Sequence, residues 1–242
     1  MNRETELSRA FVELADTLVA DFDVVDFLHT LTLRCVDLFD VDAAGLMLAD
    51  ARDELRLVAA SAEQVELLEL LELQSEEGPC LDSYRTGLPV SSSDLTETEA
   101  WPRFRQAVLA SGFRAVQALP LRLRGDVIGA LNLFRVEPGG LGSGDLAVCQ
   151  AIADVATIGL LQARAVREAQ LLADQLSIAL RSRVVIEQAK GVLAERSNVD
   201  MDTAFRVLRR YARHHNLRLA DVAKDVVDRR LDLSQIDSAD KR

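Results

Sequence analysis

Proline and glycine are spread so unevenly along this 242-residue chain that they divide it into two kinds of structure. All five prolines lie at or before Pro138, and only Gly159 and Gly191 follow Gly144. Proline removes a backbone donor and glycine loosens the chain, so tight turns and strands belong to the first part. The remainder can be helical almost throughout.

Hydrophobic spacing fills in both parts. Leu7, Phe11, Leu14 and Leu18 recur at helical spacing over 4–20, and Val24, Phe27, Leu28, Leu31 and Val36 repeat it over 23–39. Residues 43–48 and 55–60 predict two strands joined by the polar turn at 50–54. A leucine-rich helix is expected at 63–73, a loop-like stretch at 75–94 and a short helix at 101–111. Residues 115–123 and 127–134 predict a hairpin around Arg124-Gly125-Asp126. Strands paired by short turns imply an antiparallel sheet that helices must cover, so the class is α+β. From Ser143 the helical pattern continues, with Ile158, Leu161, Ala165, Ala169, Leu172, Leu176 and Ala179 three or four residues apart. This stripe either packs on its own domain or pairs with a second copy in a parallel coiled coil, and a homodimer is the expectation.

Charge is equally uneven. The chain holds 28 basic and 39 acidic residues, yet residues 181–230 hold 12 Lys/Arg against 7 Asp/Glu. A basic module on an acidic protein gains affinity for phosphate by releasing counterions. An uneven solvated surface would give the same count. Cys35, Cys80 and Cys149 are far apart and form no CxxC, which argues against a zinc site or a disulfide framework. No metal site and no cofactor are expected. No apolar run approaches the ~20 residues of a membrane span, and the amino terminus lacks a secretory pattern. A cytoplasmic protein without a membrane partner is the expectation.

The segment 181–230 reads as three short helices. Its Arg183, Ile186, Ala189-Lys190-Gly191-Val192-Leu193, Ala204, Leu208, Ala212, Asn216, Leu219, Val222 and Ala223 resemble an ANTAR domain, the RNA-binding module of transcription antitermination regulators. Ala194 departs from the methionine frequent there. The first ~165 residues resemble a GAF domain of the kind that precedes ANTAR domains in actinobacterial proteins. Residues 76–95, Trp101-Pro102-Arg103-Phe104 and the hairpin 119–135 carry that likeness. The cyclic-nucleotide motif of some GAF domains is missing, so no cyclic nucleotide is implied. The two resemblances imply a GAF-like antiparallel sheet flanked by helices, then a long connecting helix leading into an all-α, three-helix ANTAR domain. The expected boundaries are 1–165 for the sensor, 145–180 for the connecting helix, 177–232 for the ANTAR domain and 233–242 for a disordered tail.

Candidate site residues follow. Arg183 and Lys190 lie two helical turns apart and share a face. Gly191 costs a helix ~1 kcal/mol relative to alanine, which suggests close approach by another helix or by a nucleic-acid backbone. Helix packing is the first expectation. Asp200 can cap the second helix. Arg206, Arg209, Arg210 and Arg213 form a basic stripe, suited to phosphate or, equally, to solvent. Beside the ANTAR resemblance, these residues with Asn216 and Arg218 are the expected contacts to RNA stem-loops. His214 and His215 point apart and suit helix C-terminal charge rather than a metal, and Asn216 caps the third helix or turns the chain. In the first part Cys80, Tyr84, Trp101 and Arg114 are candidates for a pocket that takes an unknown small molecule or partner. Cys80 is either a reactive loop thiol or, more simply, a small buried residue.

The expected function is signal-responsive stabilisation of antiterminator stem-loops in nascent mRNA, without catalysis. The alternatives are a DNA-binding transcription factor and a protein-binding sensor without chemistry. Asp221, Asp225 and Asp228 on the third helix weigh against DNA. An enzyme of the methionine sulfoxide reductase kind would need a second cysteine near Cys80 in sequence.

Overall fold

Five strands form one antiparallel sheet: β1 (Ala43–Ala49), β2 (Leu55–Ala60), β3 (Val90–Ser92), β4 (Ala115–Leu123) and β5 (Asp126–Arg135), in the order β2-β1-β5-β4-β3. The computed structural model describes residues 3–17 and 23–231. Leu18 of the first stripe and the tail 233–242 therefore lie outside the described residues. The chain divides into two units, Met1–Ala165 and Val166–Arg242, and the sheet belongs to the first.

Alternation along the strands sorts the first unit into two layers. Leu131 and Leu133 of β5, Leu119 and Leu121 of β4, and Ala44 and Leu46 of β1 face one side. There they meet α1 (Arg3–Thr17), α2 (Val24–Leu38) and the start of α6 (Ser143–Ser197) through Leu14, Phe27, Leu28, Leu31, Cys149, Ile152 and Ala156. Phe134, Val116 and Ala43 face the other side, against Val65 and Leu68 of α3 (Glu63–Ser75) and Phe104 and Val108 of α5 (Pro102–Ala110). Phe113 packs there with its ring 5.3 Å from that of Phe134. The β4–β5 hairpin turns through Arg124, whose φ of 59° is left-handed, and Gly125.

The stretch 75–94 is not simply a loop. It contains α4 (Pro79–Thr86) and β3, which pairs with β4. The proline and glycine that read as loop punctuation bracket a helix instead. Pro79 occupies its first turn, where no amide donor is needed, and Gly87 ends it in the left-handed conformation.

The helix from Ser143 is continuous to Ser197. By length and composition alone it could cross a membrane, but part of its apolar stretch is buried inside the protein. Its apolar residues divide between the sheet-facing core and solvent. Cys149, Ile152, Ala153, Ala156 and Leu160 are buried. Ile158 among them is exposed, and beyond them so are Val166, Leu172, Leu176, Ile178, Leu180 and Val184. Of the seven stripe residues, Leu161 alone is partly buried. Among the described residues, then, little of that stripe packs on its own domain.

The second unit joins the end of α6 to α7 (Met201–His214) and α8 (Leu219–Val227). Ala189, Leu193, Ala204, Leu208, Tyr211, Val222, Ala223 and Val226 make its core, with Leu219 packed at the margin. Asp200 caps α7 as expected, accepting from the Asp202 and Thr203 amides at 2.9 and 2.8 Å.

Candidate functional site

On α7 the buried residues occupy one face and leave the other to cations. Arg206, Arg209, Arg210 and Arg213 are all exposed and, with His214, line an open cleft of about 410 Å³. Their spacing of three, four and seven puts the guanidinium groups along one side of the helix. Arg206 is steadied by its hydrogen bond to the Thr203 hydroxyl at 2.7 Å. Thr203 in turn donates to Asp200 at 2.7 Å, and this bond leads the lowering of the Asp200 pKa. The helix cap and the first arginine of the stripe therefore form one chain of contacts.

The other predicted RNA contacts stand outside that cleft. Arg183 is exposed on α6, but Lys190, two turns on, is not its equal. Lys190 pairs with Glu187 at 2.9 Å, lies 5.6 Å from the Phe205 ring centroid, and its side chain is only 14% exposed. Arg218 is exposed at the N-terminus of α8 and supplies no side-chain cap. Asn216 turns the chain rather than capping α8: its φ is 54°, and its amide donates to the Arg213 carbonyl at 3.2 Å. His215 stacks on Tyr211 at 4.0 Å between centroids, which fixes it at the end of α7. Gly191 corrects the packing expectation. It is exposed, and a Cβ there would meet no described atom within 4 Å, so no neighbouring helix requires the glycine.

In the first unit the four ligand candidates belong to separate networks. Cys80 is fully buried in the first turn of α4, not in a loop, and burial first, then the nearby Glu69 and Glu72, pushes its thiol pKa well up. A protonated thiol of this kind is a poor nucleophile. Tyr84 donates to the Asp53 carboxylate, and burial together with that bond pushes its hydroxyl up to about 12. Trp101, left-handed at φ 49°, donates its indole N–H to Asp82 at 2.8 Å. Arg114 clamps the start of β4 to Asp94 at 2.5 Å.

The sequence reading missed a group that the fold assembles. Glu69 and Glu72 of α3 are completely buried, and Asn132 of β5 donates its amide to both at 3.0 Å. Glu72 also accepts from the Leu81 amide at 3.0 Å, so it caps α4, whose own N-cap Gly78 has no side chain to do so. Glu77 does the same for α5, accepting from the Arg103 and Phe104 amides at 2.5 and 3.2 Å. Burial pushes Glu72 up to about 8 despite these donors. Burial and repulsion from Glu72 push Glu69 well above the usual carboxylate range. The neighbouring backbone is fitted to them. A Cβ on Gly45 would lie 2.3 Å from Glu69 Oε1, and one on Gly78, where φ is 156°, would lie 2.3 Å from Glu72 Cδ.

A family model of the GAF domain matches residues 23–161, more than half of the chain, and one of the ANTAR domain matches residues 174–227. The chain belongs to the GAF-domain family and carries an ANTAR domain. ANTAR domains are RNA-binding modules of antitermination regulators, and GAF domains are sensors. Both are regulatory domains, and the pair is the architecture of a regulator. Similar solved structures share the GAF fold. The GAF domain of an Acinetobacter phosphoenolpyruvate-protein phosphotransferase is 18% identical, over 69% of this chain and 98% of that one, with a TM-score of 0.54. The corresponding domain from Coxiella burnetii is 16% identical over 68% and 98%, also at 0.54. Free methionine-R-sulfoxide reductase from Neisseria meningitidis, solved with its substrate, is 16% identical over 69% and 95%, again at 0.54. At such identities the likeness is one of fold. No curated protein matches the sequence.

Proposed function

We propose that this chain is a signal-responsive, cytoplasmic RNA-binding regulator, without catalytic activity, that stabilises antiterminator stem-loops in nascent mRNA. The exposed arginine cleft on α7 is the observation that carries this reading. Guanidinium groups fit phosphate in two-point contact, and a folded stem-loop offers both backbone charge and splayed bases. Arg183, Arg218 and Asn216 extend the contact, and Lys190 joins it by releasing Glu187. Gly191, with open space above its backbone, lets a phosphate approach closely.

The exposed apolar residues of α6 between Val166 and Val184 support a homodimer through that helix, because a stripe of this length is costly in water. Two copies would present two arginine clefts to paired hairpins and gain by effective concentration. In the sensor unit a small molecule or a protein partner would act by binding one conformation better than the other. Cys80, Tyr84, Trp101 and Arg114 remain its proposed contacts, although they sit in separate networks. The domain limits follow the same scheme, with 145–180 as connector and 177–232 as RNA-binding module. A DNA-reading role is disfavoured by the exposed Asp221 of α8 and Asp228 at its C-terminal end.

Filter binding of the purified protein to a two-hairpin RNA and to duplex DNA tests the proposal. A salt-sensitive complex with the RNA alone is expected. Equal or stronger binding to the duplex would overturn it.

A further inference from the structure

Two buried carboxyl groups that share one amide donor invite a chemical reason for their presence. Oxygen and sulfur atoms of Glu69, Glu72 and Cys80 all lie within 4.8 Å of one another, and all three residues are wholly buried. Acidic residues alone would not make a site. Asn132 supplies a separate observation: it is 0% exposed, its amide head reaches both carboxyls, and its Oδ1 has no hydrogen-bond partner among the described residues. Glu69 Oε2 is likewise buried without a partner. Buried oxygens normally find donors, so an orphaned Glu69 oxygen, beside a buried amide that reaches both carboxyls and has an orphaned oxygen of its own, leaves acceptor capacity that an electropositive group would satisfy.

We propose that Glu69, Glu72, Cys80 and Asn132 form a binding site for a divalent transition-metal cation of the zinc type. The donor set decides the class. A thiolate among oxygens suits Zn²⁺ or Co²⁺, whereas Mg²⁺ and Ca²⁺ prefer oxygen alone. A half-turn of the Asn132 amide exchanges its N–H donor for the unpartnered Oδ1 and gives a fourth ligand atom. Four-coordinate zinc has bonds of about 2.0–2.3 Å, which holds its ligand atoms about 3.3–3.7 Å apart. The cluster, whose ligand atoms lie within 4.8 Å of one another, would contract by at most about an ångström, and three separate segments would be drawn together. Those segments are α3, the first turn of α4 and β5. The contraction pulls on the turn around Gly78, so the ion would act on the joint between α3 and α4. This goes beyond the regulatory reading above and does not depend on RNA binding.

The test is titration of the full chain, freed of metal by a chelator, with Zn²⁺ alone and with Co²⁺ alone. One equivalent should bind per chain, Co²⁺ should give a thiolate charge-transfer absorption, and Zn²⁺ should raise the Tm. Glu72→Gln should weaken both ions at least tenfold, and Cys80→Ser should abolish the cobalt band. Glu72→Gln also removes a group that burial opposes, so its metal-free Tm should rise, which verifies folding and keeps the test valid if Cys80→Ser does not fold. Glu63→Gln, at an exposed carboxylate on the same helix, should leave binding unchanged. The proposal is overturned if neither ion binds at millimolar concentration, or if binding persists undiminished in Glu72→Gln. RNA affinity, measured in the same samples, reports separately on the regulatory function.

Discussion

In the first unit charge is hidden: Glu69 and Glu72 sit at full burial beneath the sheet, held by one asparagine amide. In the second it is displayed: four arginines of α7 stand in solvent over a small apolar core. The first arrangement raises the cost of ionising each carboxyl. The second leaves the four arginines exposed, at little cost to the fold. The buried pair thus ties the GAF unit's stability to pH, and exposed charge on the ANTAR unit is screened by salt.

The contrast can be broken from either side. The largest effect should come from replacing Arg206, Arg209, Arg210 and Arg213 together with glutamate. RNA affinity by filter binding should fall on the order of 100-fold or more, while Tm changes little. Retained affinity would mean that the exposed cations are only solvated. Next, Asn132→Leu removes the donor shared by both carboxyls and should cost about 3 kcal/mol in urea unfolding; a neutral result would mean that the carboxyls have no need of it. A pH series sharpens the same point. Folding raises the Glu72 pKa to about 8, so the unfolded chain ionises first and unfolding releases a proton. Stability of the metal-free protein should therefore decline as pH rises from the ordinary carboxyl range to about 8. Glu72→Gln should flatten that slope. The smallest effect is expected at Asp200→Ala, which uncaps α7 and should lower the melting of the second unit by a few degrees. Folding lowers the Asp200 pKa, so the cap's contribution is present above the ordinary aspartate range and is lost as pH falls through the folded value.

Much of the fold was legible because burial follows period. The strands 43–48, 55–60 and 115–123 and the α7 core obey alternation or helical spacing, and structure and sequence agree there. The arginine stripe was legible for the same reason. The Glu69–Glu72 cluster was not, since α3 carries glutamate at 63, 66, 69 and 72. A step of three residues falls about 60° short of a full turn, so the series winds around the helix. It begins in solvent at Glu63 and Glu66 and ends inside, while Leu67 and Leu70 are turned outward. No motif marks such a drift; only the sheet beneath α3 reveals which end is covered. The covering of Lys190 was not legible either, for a different reason. Its spacing from Arg183 lies within one helix, but the ring of Phe205 beside it comes from another helix.

Glu72 and Glu77 hold the starts of α4 and α5, whose own first residues offer no side-chain oxygen to the amides. The three helices are therefore not interchangeable parts. Transplanting α4 or α5 singly into a related sheet would deliver a segment whose opening turn is undone, whereas moving 63–110 as a block would carry its fastenings along. Recombination among such sensors should respect that block.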